Sequence, residues 1–314
     1  MATETRPAFR DQLQAQWDQG KFVCVGLDPV YERIPQHIRS QYGRPDVAMS
    51  DFCNRIIETT GDIALAFKPN LAFFERYEGG DENLMDVIGE IHDSFPGVPV
   101  IGDGKRADIG ATNEHYAALF DKYGFDAMTT NPYLGGDTFP SLVKGHEDKG
   151  LIVLCRTTNP GSKELQEMPI SILQATAGEL LSNSEFKEIC AMYEEGTDPI
   201  SMFMPVYEIV AFLAAKRWGI NGQFGLVVGA TAPEAFAPVR AIAGDIPFLI
   251  PGIGTQGGDL EKTLKYAPDS NKQGMIINSG SAIIFASSGE DFAEVARAKT
   301  IELDRQIREG LGIA

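Results

Sequence analysis

The hydrophobic residues of this chain fall into short runs that alternate with longer stretches of helical spacing. Eight short apolar runs are bounded by Gly, Pro or Asp, a pattern typical of buried strands. Between them, apolar residues recur at three and four positions, as in DFCNRIIETTGD and YEIVAFLAAKRW, which predicts amphipathic helices. The predicted strands are 22–27, 64–68, 98–101, 127–130, 151–155, 226–228, 248–251 and 275–278.

This alternation predicts an α/β fold, the (β/α)8 or TIM barrel. Each helix would return the chain to begin another parallel strand, and eight such units in 314 residues fit a closed barrel better than an open doubly wound sheet. Chemistry in such barrels gathers at the carboxyl ends of the strands. Polar residues cluster there in this sequence: Asp28, Lys68, Asp103, Lys105, Asn131, Thr158 and Gln256.

One interval interrupts the rhythm, since residues 159–225 are longer than a connection between strand and helix requires. It contains the acidic stretch NSEFKEICAMYEEGTDPISM at 183–202. We therefore predict a single domain over 1–314 with an insertion after the fifth strand at about 183–202. Such an excursion serves as a lid, an interface element or surface decoration, and the sequence leaves all three open.

Composition places the chain among ordinary globular proteins. No run reaches the roughly 18 apolar residues that a membrane span needs, and the first residues lack the layout of a secretory signal. We therefore expect a cytoplasmic protein with no membrane partner. The four cysteines stand far apart without CxxC or Cys/His spacing, so we expect neither a disulfide framework nor a metal site.

The formal net charge of -17 argues against a nucleic-acid partner, because a nucleic-acid backbone demands a basic face. It does not exclude a small anionic ligand. Such a ligand needs only a local pocket made by a few Lys or Arg side chains and backbone N–H groups.

The segment VIGDGKRADIGATNEHY holds the densest chemistry, with Asp103, Lys105 and Asp108 within six residues. Asp103 and Lys105 share a strand parity, so both side chains are expected to point into the barrel mouth, with Asp108 in the following loop. Lys68 closes the apolar run ALAF at the same end of the barrel. Surface ion pairs would explain any one of these charges, but four at adjacent strand ends favour a reactive site.

This segment also carries a family resemblance. DGKRADIGATN resembles the DxKxxDIxxT signature of the orotidine 5'-phosphate decarboxylases. CVGLDP, AFKPNLAFFE, TTNPYLGGD, LIVLCRTTNPGS, GLVVGAT and IPGIGTQGGD are similar, in order, to the longer bacterial (type 2) subfamily over residues 22–286. DxKxxD alone marks a superfamily that includes sugar-phosphate decarboxylases and hexulose-phosphate synthases. Lys68 favours the orotidylate enzymes, because the metal-dependent relatives carry a carboxylate at that position.

The resemblance implies conversion of orotidine 5'-phosphate to UMP and CO2 in de novo pyrimidine biosynthesis, without metal or organic cofactor. Lys68, Asp103, Lys105 and Asp108 would form the family's alternating array, with Lys105 as the proton donor. It also implies a homodimer in which Asp108 and Thr112 reach the neighbouring subunit's site. Loss of CO2 leaves a carbanion with no adjacent electron sink, so a nearby cation must stabilise it. One ammonium can both stabilise this carbanion and protonate it.

Further substrate contacts are implied in the same way. Asp28 would hold ribose hydroxyls, Thr158 would face the pyrimidine ring, and Gln256 would bridge the phosphate and ring regions. The remaining expected contacts are Asn70, Ile109 and Pro160.

The phosphate region departs from the family pattern. A sequence like NSSRGI is usual after the eighth strand, whereas this chain reads NSGSAII, with Ser281 in place of Arg. Backbone N–H groups at Gly254 and Gly280 suit a phosphate, because glycine allows close approach. Either Arg156 replaces the missing cation, or Gly280, Ser281 and the start of the last helix form a small anion nest.

Three interpretations therefore remain. The first is the metal-independent lyase. The second is a metal-dependent sugar-phosphate lyase or aldolase of the same superfamily, which Lys68 counts against. The third is a catalytically weakened phosphate-binding protein, suggested by Ser281 but opposed by the intact set of Lys68, Asp103, Lys105 and Asp108.

Overall fold

The computed structural model describes residues 6–178, 180–194, 197–219 and 222–313. Within these residues, eight parallel strands form one barrel with helices between them, which confirms the predicted fold. The barrel strands are β1 Val23–Leu27, β2 Ala66–Pro69, β3 Ile101–Gly102, β4 Ala127–Thr130, β5 Gly150–Arg156, β6 Phe224–Val228, β7 Phe248–Ile250 and β8 Met275–Ser279.

The strands are mostly apolar because both of their faces are covered. Every residue of β1 and of β8 is buried, as expected of parallel strands enclosed by helices outside and by packed side chains inside. The buried apolar residues form one contiguous cluster that extends along the described chain from Phe9 to Leu311.

The sheet closes on itself between β2 and β3. Hydrogen-bonded neighbours follow the order β2, β1, β8, β7, β6, β5, β4, β3. Two isolated parallel bridges, Phe67 with Val100 and Asn70 with Asp103, join the ends of this series. The backbone N–H of Asp103 donates to the carbonyl of Pro69 at 2.9 Å. The closure therefore sets the carboxyl ends of β2 and β3 side by side.

The helices pack their apolar faces on the barrel. The helix Pro45–Thr60 begins with proline, which lacks a backbone N–H but loses no hydrogen bond there, because the first N–H groups of a helix have no partner within it. Phe52 of this helix stacks on Phe292 of the last helix, with ring centroids 5.1 Å apart. None of the helices in the described ranges is long and apolar enough to cross a membrane. The α-helices are Phe9–Trp17, Gln36–Gln41, Pro45–Thr60, Leu71–Glu75, Gly80–Ser94, Gly110–Tyr123, Phe139–Leu142, Lys163–Gln166, Ile172–Ala177, Asn183–Cys190, Val206–Leu213, Phe236–Ala243, Leu260–Tyr266, Ser281–Ile284 and Phe292–Leu311.

The long interval between β5 and β6 is folded. It contains two short antiparallel strands, Pro169–Ser171 and Phe203–Pro205, and the predicted insertion at 183–202 lies between them. The helix Asn183–Cys190 begins with a capping box formed by Ser182 and Glu185, which satisfies its first backbone donors. The helix Val206–Leu213 then brings the chain back against β5.

Candidate active site

A cavity of about 420 Å³ opens at the carboxyl ends of the barrel strands. Each of the eight strands, or the loop that follows it, contributes to its lining, which is where barrel enzymes bind their ligands. The lining residues are Asp28, Lys68, Asn70, Asp103, Lys105, Thr129, Leu154, Thr157, Thr158, Asn159, Gln166, Val227, Leu249, Pro251, Gln256 and Asn278.

One carboxylate in this cavity lies between two ammonium groups. The Nζ atom of Lys68, at the end of β2, is 2.7 Å from Oδ2 of Asp103. The Nζ atom of Lys105 is 2.6 Å from Oδ1 of the same residue. Lys68 is 4% exposed, whereas half of the Lys105 side chain is open to solvent. The structure thus brings together three of the four predicted charged residues, with Lys105 the accessible cation.

Burial and charge compete in this cluster. Burial disfavours the ammonium of Lys68, but the carboxylates of Asp103 and Asp28 outweigh it and raise the pKa of Lys68 above its ordinary value. Burial likewise disfavours the carboxylate of Asp103, but Lys68 and Lys105 outweigh it and hold the pKa of Asp103 well below its usual range. The buried pair therefore stays ionised over a wide range of pH.

Thr129, on β4, orients the cluster. Its hydroxyl donates to Oδ1 of Asp103 at 2.9 Å and accepts from the backbone N–H of Lys105 at 3.0 Å. Lys105 has a φ of +49°, a left-handed conformation that lysine rarely adopts. The contact with Thr129 therefore fixes a strained turn that lets Lys105 fold back over Asp103. Thr129 was not among the predicted site residues, and because every residue of β4 is buried, the sequence pattern alone does not show that its side chain faces the cavity.

Asp108, Ile109 and Thr112 do not line the cavity. The backbone N–H of Asp108 donates to Oδ1 of Asn113 at 2.8 Å, where the helix Gly110–Tyr123 begins. The side chain of Ile109 is 63% exposed, and Thr112 is also exposed. Asp108 therefore does not join the other three charged residues within one chain.

The loop after β5 supplies one wall of the cavity. Thr158 lies in the lining as predicted, whereas Pro160 is exposed and outside it. Arg156 is buried, and its Nη2 is 2.5 Å from Oε1 of Glu167. Its Nη1 donates to the carbonyl of Thr157 at 2.9 Å. Arg156 does not belong to the cavity lining, and its guanidinium holds this loop, which counts against its predicted role as the phosphate cation.

Glycines allow the loops after β7, β8 and β1 to approach one another. A Cβ at Gly254, whose φ is +101°, would lie 2.9 Å from the Cβ of Ala282. A Cβ at Gly280 would lie 2.8 Å from Oδ2 of Asp28, which lines the cavity. Gly280 thus adjoins the cavity at Asp28, but Gly254, Gly280 and Ser281 do not belong to the lining of this cavity. Ser281 begins the short helix Ser281–Ile284.

The cavity also contains amide side chains. Asn70 and Gln256 line it as predicted, and Asn70 accepts a hydrogen bond from the N–H of Ala72 at the start of the next helix. Asn278, on β8, also lines the cavity, and the sequence analysis did not single it out. In the described ranges, no group of three or more His, Cys, Asp and Glu residues is placed to hold a metal ion.

We predict that Asp103→Asn lowers the free energy of unfolding by about 3 kcal/mol at pH 7, because it removes the partner of a buried cation. In the native protein the raised pKa of Lys68 means that its stabilising contribution is fully present below pH 10.5 and is lost only as the pH rises through the folded value. In the variant, burial should instead depress that pKa. The deficit should then shrink between pH 7 and about pH 10, as the isolated ammonium loses its proton.

Urea unfolding at several pH values measures this effect. The matched control is Asp62→Asn, which removes the partner of the half-exposed Arg297 and should cost less than about 1 kcal/mol at every pH. A deficit for Asp103→Asn that does not change with pH would contradict the electrostatic account of the cluster.

The chain is similar to known proteins over most of its length. The model of the "Orotidine 5'-phosphate decarboxylase / HUMPS family" matches residues 21–297. An orotidine 5'-phosphate decarboxylase of Ralstonia pickettii is 41% identical over 303 residues, which cover 96% of this chain and 98% of that protein. That of Cupriavidus metallidurans is 42% identical over 291 residues, covering 92% of this chain and 93% of the relative.

Solved structures agree with these relatives. The OMP decarboxylase of Leishmania donovani has a TM-score of 0.74 at 32% identity and covers 98% of this chain and 100% of its own. The UMP synthase of the same organism has a TM-score of 0.75 at 33% identity, covering 97% of this chain and 56% of the longer enzyme. The family match, the near-complete coverage and the charged cavity together show that the chain belongs to the orotidine 5'-phosphate decarboxylase family.

Proposed function

We propose that this chain converts orotidine 5'-phosphate to UMP and CO2 in pyrimidine biosynthesis, with Lys105 as the proton donor and without a metal or organic cofactor. The observation that carries the proposal is the Asp103 carboxylate held between Lys68 and Lys105 at the cavity wall. The metal-dependent alternative is disfavoured because Lys68 brings an ammonium, which repels a metal cation, to the position where those relatives carry a carboxylate.

The reaction breaks the bond between C6 of the pyrimidine and its carboxylate. The electron pair stays on C6 while CO2 departs, and C6 then takes a proton to give UMP. The ammonium of Lys105 is the accessible cation of the cluster, so it can stabilise the developing charge and transfer the proton. Solvent then returns a proton to the neutral lysine, and the balance of atoms and charge is complete.

Lys68 and Asp103 position this cation. Lys68 is buried and ion-paired, so it fixes one oxygen of Asp103, and Thr129 and Lys105 contact the other. A carboxylate held ionised beside the substrate carboxylate would also repel it, and loss of CO2 relieves that repulsion. Asp103 thus has two proposed roles, both of which require its negative charge.

We predict that the purified chain decarboxylates orotidine 5'-phosphate in the presence of EDTA, and that Lys105→Ala lowers kcat roughly a thousandfold or more, because it removes both the proton and the stabilising charge. The fall in substrate absorbance measures turnover. The control is Lys163→Ala, an exposed lysine at the start of the helix Lys163–Gln166 that does not line the cavity.

Two results would redirect the assignment. Activity that EDTA abolishes would favour the metal-dependent lyase of the same superfamily. Tight binding of UMP by a folded chain without turnover would favour the weakened phosphate-binding protein.

We further propose that the substrate phosphate lies at the loops after β7 and β8, at the start of the helix Ser281–Ile284. Barrel enzymes frequently bind phosphate at this place, next to a short extra helix. Gly254 and Gly280 keep these loops compact, and Ser281 contributes a neutral side chain. Phosphate affinity would then depend on backbone N–H groups and on Gln256 in the cavity.

Ser281→Arg is accordingly predicted to lower KM for orotidine 5'-phosphate about tenfold to a hundredfold, since a charge-assisted hydrogen bond contributes about 1.5–3 kcal/mol. The charge-matched control is Ser288→Arg, an exposed position in the next loop. Steady-state kinetics give the KM of both variants for orotidine 5'-phosphate. An equal effect of the two substitutions would mean that only the overall charge matters, and no effect of Ser281→Arg would place the phosphate elsewhere.

We propose that two copies of the chain form a homodimer with shared active sites. Asp108 and Thr112 lie outside the cavity of their own subunit, and Ile109 between them is 63% exposed. Tyr133 and Leu134, adjacent in the loop after β4, are 78% and 44% exposed, and an exposed apolar patch marks a site of protein association. An apolar cavity of about 520 Å³ borders this surface, with Pro132, Tyr133, Leu165, Leu180 and Trp218 in its lining.

Shared sites predict complementation between inactive variants. Lys105→Ala and Asp108→Ala should each be inactive alone, but each mixed dimer would contain one site with both residues intact. Random exchange of subunits should therefore restore about a quarter of the wild-type activity. Activity measured after unfolding and refolding the two variants together tests this, with each variant refolded alone as the control. No recovery, with dimers present by light scattering, would mean that Asp108 acts within its own subunit.

We also propose that the chain works in the cytoplasm as a single barrel domain with its insertion after β5. All four cysteines are free thiols, and burial raises the pKa of Cys24 to about 12, so this thiol stays protonated at neutral pH. Free thiols suit a reducing compartment. The continuous hydrophobic core supports one domain.

A further inference from the structure

The side chain of Gln166 forms part of the wall between two cavities. It ends the short helix Lys163–Gln166 and is half-buried. It lines the catalytic cavity of about 420 Å³ and also the apolar cavity of about 520 Å³, and Leu154 on β5 is shared by the two linings. A carboxamide beside an apolar cavity needs hydrogen-bond partners elsewhere, because burying it unpaired would be costly.

Both ends of this carboxamide bind one residue of the loop after β5. Oε1 of Gln166 accepts from the backbone N–H of Thr157 at 2.9 Å, and Nε2 donates to the hydroxyl of Thr157 at 2.9 Å. The hydroxyl of Thr157 in turn donates to Oδ1 of Asn159 at 2.7 Å. Gln166 therefore fixes the backbone and the side chain of Thr157 together, with its own donor and acceptor both engaged.

The next residue along the chain, Thr158, lies in a closely fitted place on the cavity wall. A Cβ at Gly229, just after β6, would lie 2.6 Å from Cγ2 of Thr158, and a Cβ at Gly252, after β7, would lie 3.1 Å from the same atom. The carbonyl of Thr158 accepts from the hydroxyl of Thr231 at 3.2 Å. Because two glycines make room for its methyl group, a small shift of the loop would move Thr158 out of this place.

The fold of the loop has a separate support. Arg156 contacts the carbonyl of Thr157, the hydroxyl of Ser162 and the carboxylate of Glu167. None of these contacts involves the N–H or the hydroxyl of Thr157. Loss of the Gln166 side chain should therefore leave the loop folded and release only the segment that contains Thr157 and Thr158.

We infer that Gln166 is a positioning residue for recognition of the pyrimidine ring: it holds Thr157 so that Thr158 faces the ring. The inference rests on the proposed function, in which Thr158 contacts the pyrimidine. Gln166 acts through Thr157 and takes no part in the proton transfer from Lys105. Its removal should therefore weaken ligands that carry the ring and spare ligands that carry only the sugar and the phosphate.

The test compares the binding of UMP with that of ribose 5-phosphate, which lacks the ring. Phosphorus NMR titration measures both, because it detects the phosphate that the two ligands share. Gln166→Ala should raise the Kd for UMP about tenfold and leave the Kd for ribose 5-phosphate unchanged. Gln166→Glu keeps an acceptor for the N–H and the hydroxyl of Thr157, so it should recover most of the loss.

Two further variants complete the design. The matched control is Glu164→Ala, an exposed position of the same helix that lines neither cavity, and it should change neither Kd. Thr157→Val removes the hydroxyl and keeps the shape of the side chain, so it should raise the Kd for UMP alone by a smaller factor. It provides the same comparison if thermal unfolding shows that Gln166→Ala does not fold.

Equal losses on the two ligands would overturn the inference, because they would mean that Gln166 supports the whole site. No loss on UMP, or no binding of UMP by the native chain, would overturn it as well. Failure of the native chain to turn over orotidine 5'-phosphate while it still binds UMP would instead remove the proposed function. The comparison of UMP with ribose 5-phosphate would then still decide the role of Gln166.

Discussion

An ionised carboxylate at the wall of a narrow cavity is stable here chiefly because the buried ammonium of Lys68 neutralises it, and the rest of the site depends on that ion pair. Asp103 and Lys68 come from strands that meet at the seam where the barrel closes. β3 is only two residues long, so few ladder bonds hold this seam. The ion pair therefore joins the same two strands that the bridges join. The same contact therefore closes the barrel and places the charges of the site. Opening the barrel between β2 and β3 would separate the buried opposite charges of Lys68 and Asp103.

Much of the architecture could be predicted because hydrophobic spacing reports it directly. The eight barrel strands are short apolar runs, and the ends of parallel strands must meet, which explains why Lys68, Asp103 and Lys105 were expected together. Thr129 and Asn278 were missed because a polar residue inside an apolar strand looks like any other strand residue until its register is known. The strands Pro169–Ser171 and Phe203–Pro205 are too short, and too rich in proline, to give a period. The proposed place of Asp108 in a neighbouring site came from family resemblance, because spacing within one chain carries no information about a second copy.

Some cations at the catalytic face hold the structure through ion pairs, whereas Lys105 is accessible for the reaction. Arg156 holds the loop after β5 through Glu167, and Arg106 is paired with Glu75. Lys68 is enclosed, which leaves Lys105 as the accessible cation among the charged residues that line the cavity. A chain with a net charge of -17 thus brings a strongly anionic nucleotide to a site with little spare positive charge. In the proposed function, recognition would depend on oriented backbone donors and neutral amides, whose interactions with the nucleotide act only over a few ångströms.

The left-handed backbone of Lys105 has a consequence for the evolution of the chain. At a φ of +49°, glycine or asparagine would relieve the strain that lysine sustains. Selection for stability alone would therefore drive this position away from lysine, just as it would replace the unsatisfied Asn278 with an apolar residue. A lineage released from the need for this activity would be expected to change first at these two positions, while the barrel around them persisted. The identities of Lys105 and Asn278 would therefore indicate whether a related chain still uses this site.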